Sequence, residues 1–220
     1  MPISIDVVYS NGHQQIEMTR LVNEKGEDRG LGRRPGSKGL LQQMRSVKDA
    51  GVDCVALVDD VLFSGSLMER TVNLFAKFNV RVPFIIAGVG IAEGIERLSN
   101  LGCEVKCVRS FKKVIDEVCE RDFLPGVPLS GRTLISQGNV GLPYMLPFGN
   151  PGKWASIPQE WERKFSQFCL EQAVGLFLEI EQETGKQVWY SDLQRKVFGL
   201  PVLGEHRFVD LLNESKNMIA

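Results

Sequence analysis

Asp59 and Asp60 stand side by side at the end of the apolar run Val55-Ala56-Leu57-Val58, and Val61-Leu62-Phe63-Ser64-Gly65-Ser66-Leu67 follows them. Two carboxylates after a buried strand belong at the carboxyl edge of a parallel sheet, where open α/β sheets take their ligands. The loop Phe63 to Leu67 would gather backbone N–H groups, the Ser64 and Ser66 hydroxyls and a helix N-terminus around one point, which suits phosphate. The acids would repel a bare phosphate, yet they can accept hydrogen bonds from the vicinal hydroxyls of an attached sugar. The stretch therefore reads as a sugar-phosphate site. In the plainer alternative the acids cap the next helix or meet a loop arginine, and adjacent like charges are then costly without hydroxyl or cation partners.

The surrounding elements are those that would position such a site. Leu40 to Ala50 has helical spacing at Leu40, Leu41, Met44 and Val47, and Gly51 stops it. Cys54 to Val58 is the strand, and Gly65-Ser66 opens a helix that closes near Asn79. Arg81 to Ala87 is a short, nearly continuous apolar strand, Ala92 to Leu101 a helix, and Cys103 to Val108 another strand. Alternation of this kind predicts an α/β fold, Rossmann-like, a parallel sheet with helices on both faces. Upstream, Ile3 to Tyr9 and Ile16 to Val22 are strand candidates around the turn Ser10-Asn11-Gly12. Asn23 to Gly39 is glycine-rich and basic, and reads as a mobile surface loop. Its Arg29, Arg33, Arg34 and Lys38 are either an anion-gathering flap over the site or a solvated face.

Downstream, Phe111 to Cys119 has helical spacing. The Pro/Gly-rich segment Arg121 to Ser156 is excluded from regular helix or central strand, but Tyr144, Met145, Phe148 and Trp154 require it to pack on a core. Arg132, Tyr144 and Trp154 could also roof the site, with packing the plainer role. Ser156 with Gln159 has the form of a capping box. From Trp161 through Phe165, Phe168, Cys169, Ala173, Leu176 and Phe177 to Ile180, apolar residues then mark a long helix with its aromatic stripe in the core, ending near Thr184 at Gly185. A short strand at Val188 to Tyr190 and small helices near Leu193 and Phe208 complete the chain. Residues 1–120 are thus expected to form the α/β core, and residues 121–220 an irregular and helical C-terminal extension.

The 220 residues are 43% hydrophobic and 24% charged with a formal net charge of −1, so no basic field points to nucleic acid. No apolar run approaches the roughly 20 residues of a membrane span, and Met1-Pro2-Ile3-Ser4 lacks signal-peptide form, so the expectation is a cytoplasmic protein without membrane association. Five cysteines with no Cys-x-x-Cys pair, and only His13 and His206, give no disulfide or zinc pattern, and Cys103 and Cys107 read as small buried hydrophobes.

Gly88-Val89-Gly90-Ile91-Ala92-Glu93-Gly94 has the wrong spacing for a dinucleotide fingerprint. A receiver domain would need an acid near Ala87, and a haloacid-dehalogenase phosphatase would need one at position 61, where Val61 stands. Residues 55–67 instead resemble the phosphoribosyl-pyrophosphate signature of type I phosphoribosyltransferases, matching at Asp59, Asp60, Val61, Leu62, Ser64 and Gly65. The resemblance implies a phosphoribosyltransferase-like core in which Asp59 and Asp60 are the catalytic pair and hold the ribose hydroxyls. Residues Val61 and Phe63 to Leu67 would cradle the 5′-phosphate, and Mg²⁺ with a second loop would manage pyrophosphate. It further implies a small-molecule phosphoribosyl substrate, nucleotide metabolism, and transfer to a nitrogen nucleophile. Phe63 and Leu67 stand where the family usually has small or hydroxyl residues, and the pyrophosphate turn has its one candidate at Tyr9-Ser10-Asn11-Gly12-His13. A non-catalytic sensor, or a subunit of a homo-oligomer or larger assembly, is the alternative.

Overall fold

The computed structural model describes residues 1–5, 14–135, 137–201 and 204–219. They divide into two compact units, Met1–Thr19 with Leu31–Ile115, and Arg20–Gly30 with Asp116–Ala220. The first is built on β1 (Pro2–Ser4), β2 (Gln14–Gln15), α1 (Leu40–Asp49), β5 (Cys54–Leu62), α2 (Ser66–Ala76), β6 (Arg81–Ile91), α3 (Ala92–Ser99) and β7 (Glu104–Phe111). Between β2 and α1 come β3 (Met18–Val22) and β4 (Asp28–Arg33). A five-stranded sheet has the order β2-β1-β5-β6-β7 with every pairing parallel, the expected α/β layout.

The two-residue period of the strands turns Val55, Leu57, Ile85 and Ala87 into one core, together with Met44 and Val47 of α1, Met68 and Phe75 of α2, and Leu98 of α3. Phe84 and Ile86, on the alternate register, stay exposed. Three strands outrun the apolar stretches that mark them, β5 to Leu62, β6 to Ile91 and β7 to Phe111. The ladder continues past the acids through Asp59↔Ala87, Val61↔Val89 and Leu62↔Gly90, so β5 ends at Leu62 and not at Val58.

Two expectations are corrected. Asn23 to Gly39 is not one mobile loop: much of it is strand β4, the edge neighbour of β3. A side-chain turn achieves this without apolar anchors, since Asn23 Oδ1 accepts the N–H groups of Lys25 at 3.1 Å and Glu27 at 2.9 Å. Gly26, at φ 70°, supplies the left-handed residue the turn needs. Asn23→Ala should cost about 1–2 kcal/mol in urea unfolding, and Asn23→Asp, which keeps the acceptor but sets a second carboxylate against Glu27 Oε2, 2.7 Å from the amide it replaces, should recover only part of that. Phe111 to Cys119 is likewise not a helix. Val114, Ile115 and Val118 are exposed, Ile115 by 93%, so the stripe that would pay for helix formation has nothing to bury against.

The second unit holds β8 (Arg132–Leu134), β9 (Val140–Leu142), α4 (Pro151–Ala155), α5 (Glu162–Thr184), β10 (Lys196–Val197) and α6 (Phe208–Met218). A second sheet runs β10-β9-β8-β3-β4, so the Pro/Gly-rich segment does supply interior strands, each only three residues long. Tyr144, Met145, Phe148 and Trp154 are buried with Phe177 of α5 and Phe208 of α6 in one core, as their apolar character required. Arg195, 1% exposed, ties this unit together. Its guanidinium donates to Ser130 O at 2.5 Å, Gly131 O at 3.2 Å, Asn139 Oδ1 at 2.8 Å and Thr133 Oγ1 at 3.2 Å.

Helix α5 ends at Thr184 with Gly185 at φ 65°, as the spacing predicts. Its start differs: Ser156, at φ 50°, terminates α4 instead of capping α5, and Gln159–Trp161 forms a 3₁₀ turn before Glu162. Its stripe is also wider than one face. Cys169, Leu170, Ala173 and Phe177 are buried, but Trp161 and Phe168 are 52% and 57% exposed. The short strand expected at Val188 to Tyr190 is present as a single antiparallel bridge, Trp189 with Arg207, followed by a 3₁₀ turn at Tyr190–Asp192.

Glu181 of α5 receives Arg207 Nε at 3.1 and 3.2 Å and the Val188 N–H at 2.8 Å. The Arg207 hydrogen bonds hold its carboxyl below the usual glutamate range. A carboxyl depressed by folding contributes stability above its unfolded pKa of about 4.3, and that contribution is lost as pH falls through the folded value. The melting temperatures of wild type and Glu181→Gln should therefore differ most at neutral pH and converge on acidification. A constant gap would contradict this.

Candidate functional site

Strand β5 delivers Asp59 and Asp60 to the C-terminal part of the first sheet, Asp59 half-buried and Asp60 exposed. Successive strand residues face opposite ways. Each carboxylate also takes the next backbone N–H: Asp59 Oδ1 accepts from Asp60 at 3.0 Å, and Asp60 Oδ1 from Val61 at 2.7 Å. Asp60 keeps a second oxygen with acceptor capacity beyond this bond. Strand β1 ends beside them, for the Ile5 N–H donates to Val58 O at 3.0 Å.

The loop after β5 is short. Gly65, at φ 72°, is the N-cap of α2, a conformation that favours glycine. No side chain caps the helix, and its N-terminus is flanked by the Ser64 and Ser66 hydroxyls, 3.1 Å apart, with Ser64 Oγ also accepting the Ser66 N–H at 3.4 Å. First-turn N–H groups with the positive end of a helix dipole form an anion site. Leu67 packs against the core. Its apolar side chain at a position where the related motif carries a hydroxyl thus has a packing role, while Phe63 is half-buried in the loop itself.

The arginines of the expected flap have local partners: Arg29 pairs with Glu27 at 3.0 Å, Arg33 donates to Ser37 O at 2.8 Å and Arg34 Nε to Met18 O at 3.1 Å. Tyr9 to His13, the candidate pyrophosphate turn, lies outside the described residues. Arg132, Tyr144 and Trp154 do come together, Arg132 lying 4.7 Å from the Trp154 ring centroid and 5.4 Å from that of Tyr144. Both rings are buried in the second unit's own core, which gives this cluster a packing role.

Sequence reasoning missed four residues that shape the site. A Cβ on Gly94 would strike Phe63 O and lie 3.0 Å from Gly65 N, so α3 crosses the loop at backbone contact. A Cβ on Gly88 would lie 2.9 Å from Asp60 O, and one on Gly90 would strike Cys107 Sγ, so these glycines let β6 and its neighbours close up beside the acids. The run Gly88-x-Gly90-x-x-x-Gly94 was visible, but its meaning depends on β5 and β6 being neighbours. The fourth is Arg97, which bridges Glu69 of α2 at 3.1 Å and Glu93 of α3 at 3.4 Å. Its hydrogen bond to Glu69 raises its pKa. A Cβ on Gly65 would lie 3.4 Å from Arg97 Cδ, which puts a cationic side chain beside the loop.

No known family model matches the chain, and no curated protein matches its sequence. Among solved structures it is similar to the orotate phosphoribosyltransferase from Aeropyrum pernix, with 15% identity and a TM-score of 0.26. The match covers 42% of this chain and 59% of that one. No helix among the described residues is long and apolar enough to cross a membrane.

Proposed function

We propose that the C-terminal edge of the first sheet binds the ribose 5-phosphate group of phosphoribosyl pyrophosphate or a nucleotide, and transfers the phosphoribosyl group to a nitrogen nucleophile with release of pyrophosphate. The observation that carries this reading is the sequence of parts: two adjacent carboxylates on β5, then Ser64, left-handed Gly65 and Ser66 at the uncapped N-terminus of α2. Asp59 and Asp60, which leave β5 on opposite faces, take the ribose hydroxyls from either side of the strand. The α2 N-terminus and the two serines hold the 5′-phosphate. The nucleophile displaces pyrophosphate at C1 as the bond between C1 and the pyrophosphate oxygen breaks. Positive charge growing on the ribose ring is favoured by the negative charge of the two acids, and positioning supplies much of the remaining barrier reduction.

Mg²⁺ belongs to this reading through the leaving group, whose charge it neutralises when bound. Among the described residues no group of three or more His, Cys, Asp or Glu side chains is arranged to hold a metal ion. Asp59 and Asp60 fit an ion that arrives on phosphate oxygens and keeps its waters, rather than one caged by protein.

A second reading, a sensor that binds without transfer, is favoured by Leu67, which gives a phosphate-loop position to the core. Pyrophosphate release from phosphoribosyl pyrophosphate with Mg²⁺ and a panel of nucleobases separates the two. Base-dependent release supports transfer, binding without release supports the sensor, and absence of binding overturns both.

A further inference from the structure

Strand β7 bounds the first sheet on one side, and among the described residues its one strand neighbour is β6. Its outer side therefore presents unpaired backbone N–H and C=O groups along Glu104–Phe111. Proline, a bulge or very short length blunts most such edges. None of these protects β7, which runs eight residues without proline and keeps one register with β6 from Phe84↔Glu104 to Ile91↔Phe111.

The side chains beside this edge combine exposed apolar groups with charge of one sign. Ile86 and its ladder partner Lys106 share the face on which Phe84 and Val108 also stand, and Phe84, Ile86 and Val108 are all exposed, Val108 by 84%. Phe111, at the strand's end, is exposed too. Lys106 is occupied: it pairs with Glu104 at 3.1 Å and lies 5.8 Å from the Phe84 ring centroid. The side chains of Arg109, Lys112 and Lys113 are exposed and have no ion pair or hydrogen bond among the described residues. Helix α3, which packs against β7, brings two acids, Glu93, already paired with Arg97 at 3.4 Å, and Glu96. Three unpaired cations on β7 and just after it thus stand against one unpaired acid on α3.

These charges count against a second copy of the chain, since two β7 edges side by side would add like charge to like within a Debye length. They suit a partner of opposite sign. We propose that β7 takes an extended, acid-bearing peptide segment of another protein as a sixth strand of the sheet. Main-chain hydrogen bonds run along the free edge, apolar side chains of the peptide lie beside Val108 and Phe111, and its carboxylates meet Arg109, Lys112 and Lys113. The surface lies two strands from β5, so it stands apart from the sugar-phosphate reading.

Fluorescence anisotropy of the full chain with a labelled peptide of alternating Glu and Val, as long as β7, tests this at low salt. The peptide should bind with a Kd below roughly 100 μM, and a Lys/Val peptide of the same length should not bind. Methylating every backbone nitrogen of the Glu/Val peptide removes its main-chain donors and keeps its charge, and affinity should then fall at least about tenfold. Arg109→Glu with Lys112→Glu, both at exposed positions, should cost a similar factor with unchanged circular dichroism. Asp59→Asn/Asp60→Asn should leave the affinity for this peptide unchanged, which separates the edge from the ribose site. Absence of binding by the Glu/Val peptide, or equal affinity after methylation, overturns the proposal. A chain that binds phosphatidylserine vesicles and not the peptide assigns the surface to a membrane, and a dimer that Val108→Glu dissociates assigns it to a second copy; either result overturns the proposal too.

Discussion

Arg195→Met should destabilise the second unit by roughly 2–4 kcal/mol, a large share of the stability of a small domain. Among the described residues no carboxylate is hydrogen-bonded to this guanidinium. It is held by two main-chain carbonyls, Ser130 O and Gly131 O, and by Asn139 Oδ1 and Thr133 Oγ1. Burial lowers its pKa to about 10, against the opposing pull of Asp122, so it is charged at neutral pH. Methionine fills similar space but removes the donors from buried acceptors, at about 1–3 kcal/mol for each group left unsatisfied. Strands β8 and β9 are three residues long, and the guanidinium holds the residues that lead into both. Arg195→Lys should recover only part of the loss, since an ammonium cannot reproduce the guanidinium fork. Urea unfolding followed by tryptophan fluorescence reads the effect, and a change below about 1 kcal/mol would show that the guanidinium is not the brace.

Gly94→Ala should cost about 1–3 kcal/mol and, more tellingly, weaken binding at the sugar-phosphate loop. The added methyl meets Phe63 O and the Gly65 N–H side of the loop, both main chain, with Leu62 Cγ at 3.1 Å behind them. Backbone cannot rotate out of the way as a side chain can. Either α3 moves off the sheet or the loop shifts, and a loop shift disturbs the N–H groups at the α2 N-terminus. Gly102→Ala is a useful control: its φ of 84° also disfavours alanine, but a Cβ there meets nothing within 4 Å. It should lower stability and leave ligand affinity intact.

The first sheet was legible because its strands are local signals. The apolar runs beginning at Cys54 and Arg81 name buried strands, the run at Cys103 names the largely exposed edge strand β7, and the helices between them carry their own spacing and stops. The end of β5 was not legible, because the ladder Val61↔Val89 and Leu62↔Gly90 is a property of two strands together. For the same reason the glycines at 88, 90 and 94 looked like a failed fingerprint when they are positions of close backbone approach. The Asn23 turn was missed because a single side-chain oxygen replaces the apolar anchors that periodicity detects. Phe111 to Cys119 shows the converse, helical spacing with no surface to bury against. Arg195 had no sequence signal at all, since its acceptors lie more than fifty residues upstream. In α5 the apolar stripe marked the helix and its end correctly, but spacing alone did not divide Cys169 and Phe177, which build the core, from Trp161 and Phe168, which face out.

The most direct test of the central claim is calorimetric titration of the chain with phosphoribosyl pyrophosphate and Mg²⁺, in parallel with Asp59→Asn/Asp60→Asn. The acids on β5 and the N-terminus of α2 predict saturable one-site binding, weakened at least about tenfold in the double variant by loss of charge-assisted hydrogen bonds to the ribose hydroxyls. Absence of heat with the wild-type chain, or equal affinity in the variant, would contradict the account.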